Sequence, residues 1–179
     1  INQSVTIEFK DAGDFIVTLG ALNGCLGGSE YLRTIHGKIQ GPIPHLNLEL
    51  EMGIQELCLD AIKKGIIKSA HDLSDGGLAV NISESIVHSK QGLGARLDVV
   101  RKLQNNELLF GESESVIVVT LEESALYELI LLAQKLDMHT QTIGRVTDTN
   151  SLVINDQIDI SRIKLENAYF NSLEKIMTQ

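Results

Sequence analysis

Apolar positions recur along this chain at two periods, and the two periods alternate. Ser4–Glu8 sets Val5 and Ile7 against Thr6 and Glu8, the period-two pattern of a half-buried strand. Phe15–Leu19 is a near-continuous apolar run and reads as a central strand. Asp11, Gly13 and Asp14 make a turn between them, so the pair can close as a hairpin. Tyr31–His36 predicts a short helix, and Gly37–Pro44, with Pro42 and Pro44, an extended loop. Asn47–Lys64 predicts a strong helix: Leu50, Ile54, Leu57, Cys58, Ala61 and Ile62 share one face. Its acids Glu49, Glu51 and Glu56 lie towards the start, and Lys63, Lys64 and Gly65 mark the end, as the helix dipole favours.

Ile66–Ala70 reads as a short strand that runs into a polar turn, His71–Gly77. Leu78, Ala79, Ile82 and Ile86 then give the next helix its stripe, with Ser74 or Asp75 as the expected N-cap. Ala95–Val99 predicts a strand, Leu103–Glu114 is mixed, and Val116–Leu121 is a β-branched interior strand. Glu122–Leu136 predicts a helix, Thr140–Val146 and Leu152–Ile154 two strands, and Ile160–Ile176 a closing helix on Leu165, Tyr169, Leu173 and Ile176. Strands and helices interleaved in this way predict an α/β (α+β) fold, a mixed β-sheet with flanking helices. Without repeats or an internal linker, residues 1–179 are expected to form a single domain.

Composition narrows the picture. Apolar residues make up 43% of 179 and aromatics 4%, with no Trp, so the core should be aliphatic. A net charge of -9 argues against a nucleic-acid or anionic-membrane surface. It leaves room for a nucleotide whose phosphates are met by backbone N–H groups and a divalent cation. Cys25 and Cys58 lack metal-ligand spacing and are expected to be reduced thiols of a cytoplasmic protein. No run approaches a membrane span, and no secretory signal is visible. The chain opens on Ile and enters directly on a strand-like pattern, as a piece of a longer polypeptide would.

The chemistry concentrates in three polar turns. In SAHDLSDGGLAV, Asp72 ends a strand, where a carboxylate can meet magnesium and phosphate oxygens. Ser74 stands close enough to reach the same phosphate, and Gly76 and Gly77 allow close backbone approach. The same residues also suffice for a plain helix cap and turn, and His71 can be a general base or merely structural. In FGESES, Glu112 can ligate a metal and the serines can bind phosphate or a substrate hydroxyl; a solvated strand-entry turn would look the same. In LGGSEY, Ser29 can cap an anion-binding helix start.

LGGSEYL at Leu26–Leu32, GPIPHLNLELE at Gly41–Glu51, SAHDLSDGGLAV at Ser69–Val80, FGESES and IGRV at Ile143–Val146 together resemble the phosphoribosylformylglycinamidine synthase family, in order and over nearly the whole chain. Related families share the general architecture: aminoimidazole ribonucleotide synthase, selenophosphate synthetase and the hydrogenase maturation dehydratase. LGGSEYL with GPIP-x-x-x-LELE separates this chain from them. The resemblance implies the C-terminal domain of that superfamily, a three-layer sandwich paired with an N-terminal ATP-binding domain. It implies ATP and Mg2+ as cofactors, formylglycinamide ribonucleotide as substrate and ammonia from a glutaminase partner. ATP would activate the substrate amide oxygen as a leaving group and ammonia would make the amidine, with the isolated domain inactive. It puts Asp72 at nucleotide and metal, Ser74 and Gly111 at nucleotide, Glu112 at metal and Ser115 at substrate. Val116 stands where the family commonly carries Arg, which removes a cation from that turn. Two other readings remain: a non-catalytic scaffold holding a structural nucleotide or a dimer interface, and a related ATP-using enzyme such as aminoimidazole ribonucleotide synthase.

Overall fold

The computed structural model describes residues 3–44, 46–100, 103–172 and 177. Its centre is formed by the two most β-branched runs. Strand β1 (Phe15–Leu19) pairs antiparallel with β4 (Ile117–Leu121), Val17 facing Val119. β2 (Ser69–Asp72) flanks β4, and β5 (Thr140–Thr147) flanks β1. β3 (Gly94–Leu97), β6 (Ser151–Ile154) and β7 (Ile158–Ser161) complete a seven-stranded sheet of order β2-β4-β1-β5-β3-β6-β7. The β3–β6 pair is parallel and the other strand pairs are antiparallel, so the sheet is mixed as expected.

Because side chains alternate across a strand, the central strands feed two cores. Ile16 and Val118 pack with Leu78, Ile82 and Ile86 of α3 (Gly77–His88) and Leu108 of α4 (Asn105–Phe110). Val17, Leu19, Val119 and Leu121 pack with Ile54, Leu57 and Ala61 of α2 (Leu48–Lys63) and Leu129 and Ala133 of α5 (Leu126–Lys135). Helix, sheet and helix thus make three layers. α1 (Glu30–His36) and α6 (Arg162–Phe170) bury no residue completely. Both cysteines are free, and burial pushes the Cys58 thiol up to about 11. No helix among the described residues is long and apolar enough to cross a membrane.

Several expectations are revised. Ser4–Glu8 is not a hairpin strand; Thr6 makes one parallel bridge to Ser69 of β2. Val5 and Ile7 are half-buried, and Phe9, just beyond them, is buried and donates its N–H to Ser85 O of α3. The strand expected at Ile66–Ala70 starts at Ser69, although Ile66 and Ile67 are buried. The mixed stretch contains α4, and Glu122–Leu136 divides into a 3-10 turn (Glu123–Ala125) and α5. Ile158–Ser161 is a strand, so the last helix begins at Arg162; Leu173 and Ile176 lie outside the described residues.

Candidate functional site

Asp72 faces Ile117, and Leu19 faces both Ile117 and Thr140. The carboxyl ends of β2 and β1 therefore share one edge with the amino ends of β4 and β5. The loops at this edge carry the sequence motifs, and backbone contacts too close for a side chain weld them together. A Cβ at Gly27 would lie 1.8 Å from Pro42 O, which presses the LGGSEY turn onto the GPIP loop. Gly28 N–H donates to Gln40 O at 3.0 Å. A Cβ at Gly111 would lie 2.4 Å from Glu107 O and 2.6 Å from the Gly24 backbone. Gly77, at φ +70°, brings the start of α3 against Phe110 and Gly111 in the same way.

Glu112 ties these loops together. Its Oε1 accepts the N–H of Glu30, at the start of α1, and of Gly76, before α3, each at 2.8 Å. Its own N–H donates to Cys25 O at 2.8 Å. Ser113, almost fully buried, accepts the N–H of Asn23 at 3.0 Å and donates to Asn23 Oδ1. Ser29 caps α1, its Oγ accepting the Leu32 N–H at 3.3 Å. The expected cap of α3 by Ser74 or Asp75 does not form. Gly76 is the cap, at φ +83° and without a side-chain bond, because its N–H is taken by Glu112 from another loop. Both polar side chains are left exposed.

Two clefts open here. One, of about 390 Å³, is lined by Gly27, Gly28, Ser74, Asp75, Glu112 and Glu114. The other, of about 560 Å³, is lined by Glu51, Gln55, Asp72, Glu114 and Ser115. Leu73 and Glu114 belong to both. Among the described residues neither lining contains Lys or Arg. The structure thus gathers Asp72, Ser74, Glu112 and Ser115, while Gly111 lies behind the clefts, required by packing. Ser115 is held at φ +55°, an uncommon conformation for a residue with a side chain. His71 lines neither cleft; its Nε2 lies 3.3 Å from Glu84 Oε2. Glu51, Gln55 and Glu114 are the lining residues that sequence reasoning passed over as chemistry. The acids of FGESES alternate with serines, and nothing in that alternation tells which carboxylate turns inward.

The donor set can be tested against a divalent cation. No three His, Cys, Asp or Glu side chains gather as a metal group among the described residues. Magnesium needs only one or two carboxylates when phosphates and water complete its shell. Glu112, with one oxygen anchored by two backbone N–H groups, is a carboxylate oriented as a ligand would be. An acidic lining without Lys or Arg also requires a cation before a phosphate can approach. The residues present therefore fit the group.

The family model described as AIR synthase related protein, C-terminal domain, matches residues 11–157. The chain belongs to this family. Its resemblance to phosphoribosylformylglycinamidine synthase is borne out by a relative from Alkaliphilus metalliredigens, phosphoribosylformylglycinamidine synthase subunit PurL, 47% identical over 122 residues. That match covers 68% of this chain and 16% of the relative, so the chain spans a small part of that protein's length. Among solved structures, the AIR synthase related fold recurs in T. maritima PurL complexed with FGAR, with TM-score 0.75 at 20% identity. That likeness covers 92% of this chain and 30% of the other. T. maritima PurL complexed with ATP gives TM-score 0.72 at 18% identity, covering 92% of this chain and 27% of that one. The mixed α/β sheet read from the sequence, with the three layers that the resemblance implied, is thus the family's fold.

Proposed function

We propose that this chain is the C-terminal domain of a phosphoribosylformylglycinamidine synthase. That enzyme converts formylglycinamide ribonucleotide to formylglycinamidine ribonucleotide in purine biosynthesis, as a cytoplasmic ligase using ATP and glutamine-derived ammonia. The observation that carries the reading is the meeting of LGGSEY, GPIP, HDLSDGG and FGESES around one acidic double cleft. Relatives named as this synthase subunit favour it over the scaffold reading and over aminoimidazole ribonucleotide synthase. The partners are an N-terminal ATP-binding domain of the same enzyme and a glutaminase subunit or domain.

In this reading Asp72 and Glu112 face Mg2+, Ser74 the nucleotide phosphate and Ser115 the substrate. Gly111 serves the nucleotide end by letting the FGESES turn seat against Gly24. When bound, Mg2+·ATP supplies the phosphoryl group that makes the amide oxygen a leaving group. The chain's own part is binding and orientation. The Glu112 clamp fixes the spacing of α1 and α3, and Asn81 Nδ2 holds the Asp72 carbonyl at 2.7 Å. With no Lys or Arg among the described lining residues, the cationic groups for the reaction come from the partner domain.

The test is steady-state turnover of the full-length protein with ATP, formylglycinamide ribonucleotide and ammonium chloride. Asp72→Ala is expected to lower kcat/KM by ~100-fold, in line with the loss of a metal-facing group. Wild-type turnover by that variant would sink the role of Asp72. Turnover by the 179-residue chain alone would sink the reading that the site is completed by the partner domain.

A further inference from the structure

Asn81 sits on the core-facing stripe of α3, between Leu78 and Ile82, and is 3% exposed. Its Nδ2 donates to Asp72 O at 2.7 Å and lies 3.5 Å from His71 O. Both neighbours are acceptors, so the nitrogen has to face them. The Oδ1 is then buried with no hydrogen-bond partner among the described residues. A buried amide with one half unmet costs stability, and a leucine of similar size would not carry that cost. Packing therefore does not account for an Asn at this position.

What the amide does is fix one peptide. β2 is an edge strand, and Ala70 donates its N–H outwards to Thr6 O at 3.2 Å. Asp72, two residues on, turns its carbonyl to the same outer side, where Asn81 supplies the donor that a further strand would. On the inner side, Leu73 N–H donates to Val116 O at 2.9 Å. Both polar groups of the Asp72–Leu73 peptide are thus bonded, one to α3 and one to the residue before β4. Leu73 is itself buried. The Asp72 side chain, at the larger cleft, projects from a base held on both sides.

We propose that Asn81 is a positioning residue of this site: by holding the Asp72 carbonyl from α3, it aims the Asp72 carboxylate at the magnesium ion of bound Mg·ATP. The inference rests on the proposed function and deepens it, because it names the buried group through which α3 serves the site. Glu112 fixes the start of that helix through the Gly76 N–H, and Asn81, further along, couples the same helix to Asp72. One rigid element thereby sets the spacing between the clamped carboxylate of FGESES and the exposed carboxylate at the end of β2. The unmet Oδ1 is the cost in stability of that coupling.

Calorimetric titration of the full-length protein with Mg·ATP, and with ATP in EDTA, tests this in wild type, Asn81→Leu, Asp72→Ala and the double variant. Asn81→Leu is expected to weaken Mg·ATP by ~10-fold and to bind metal-free ATP like wild type. In the Asp72→Ala background Asn81→Leu is expected to cost nothing further, because it acts only through Asp72. Its urea midpoint without ligand is expected to match or exceed that of wild type, since the buried unmet oxygen leaves with the amide. Wild-type crystals soaked with manganese–ATP need no variant: the Asp72 carboxylate is expected on the manganese, with Asn81 Nδ2 still within about 3.2 Å of Asp72 O. An equal loss with metal-free ATP, an additive loss in the double variant, or a bond to Asp72 O that opens when manganese binds overturns the inference. A lowered urea midpoint with unchanged Mg·ATP affinity makes Asn81 merely structural and overturns it too. If Asp72→Ala weakens Mg·ATP while Asn81→Leu binds like wild type, only the role of Asn81 falls. If Asp72→Ala binds Mg·ATP like wild type, the metal-facing role of Asp72 in the proposed function falls, and this inference with it.

Discussion

Glu112 shows how one side chain can organise loops that share no local sequence. It sits in a turn that reads as solvated, yet its Oε1 accepts N–H groups from Glu30 and Gly76, 82 and 36 residues away. Glu112→Ala is expected to destabilise the metal-free chain by about 2 kcal/mol, the scale of two partly exposed bonds to a charged acceptor. A urea midpoint equal to wild type would refute that clamp. The same clamp explains why the N-cap expected at Ser74 or Asp75 failed: the donor was already taken by a residue from another loop. The glycines were legible as turn-formers, but their partners were not. That Gly27 is required by Pro42 O, and Gly111 by Glu107 and Gly24, follows only once the loops are adjacent.

Elements with a strong period were readable to within a residue or two. β1 matches its predicted range, and α2 runs from Leu48 to Lys63 with Asn47 as its cap. Asn47 Oδ1 accepts the N–H of Glu49 and Leu50, each at 3.1 Å. Asn47→Ala should therefore cost about 1 kcal/mol, measured by thermal or urea unfolding. An unchanged midpoint would mean that the cap is replaced by water. Elements with a weak period were missed. α4 has only six residues and β7 only four, too short for either period to show. Both are stabilised from outside: α4 by packing Leu108 in the core it shares with α3, β7 by pairing with β6. The segment before β1 failed because its alternation is met by a single bridge from Thr6 to β2, with Val5 and Ile7 only half-buried.

Across the whole molecule, the end of the sheet away from the clefts is held by Lys68. Its Nζ lies 2.8 Å from Asp11, 3.0 Å from Asp14 and 3.1 Å from Glu122. Burial alone would lower the Lys68 ammonium, but the hydrogen bonds it donates to the three carboxylates outweigh it and hold its pKa above the ordinary value. Asp14 is raised too, because burial of its carboxyl exceeds the pull of the single ammonium. A raised lysine contributes stability in full below its unfolded value of about 10.5 and loses it as pH rises through the folded value. A raised carboxyl contributes below its unfolded value of 3.8 and loses that as pH climbs through its folded value. The stability difference between wild type and Lys68→Met, read from urea midpoints, is expected to be constant near neutrality and to shrink above pH ~10.5. A difference that stays flat into alkali would deny the ion cluster its role. Taken alone, the chain dictates its α/β class, its long helix, its central strands and the chemistry of its polar turns. Hydrophobic period, capping and residue type are local properties, written in neighbouring residues. Only the tertiary structure decides strand order, the seating of one motif on another, and which carboxylate of FGESES is clamped and which has a buried, unpaired oxygen. Those depend on contacts between residues tens of positions apart, and no local pattern records them.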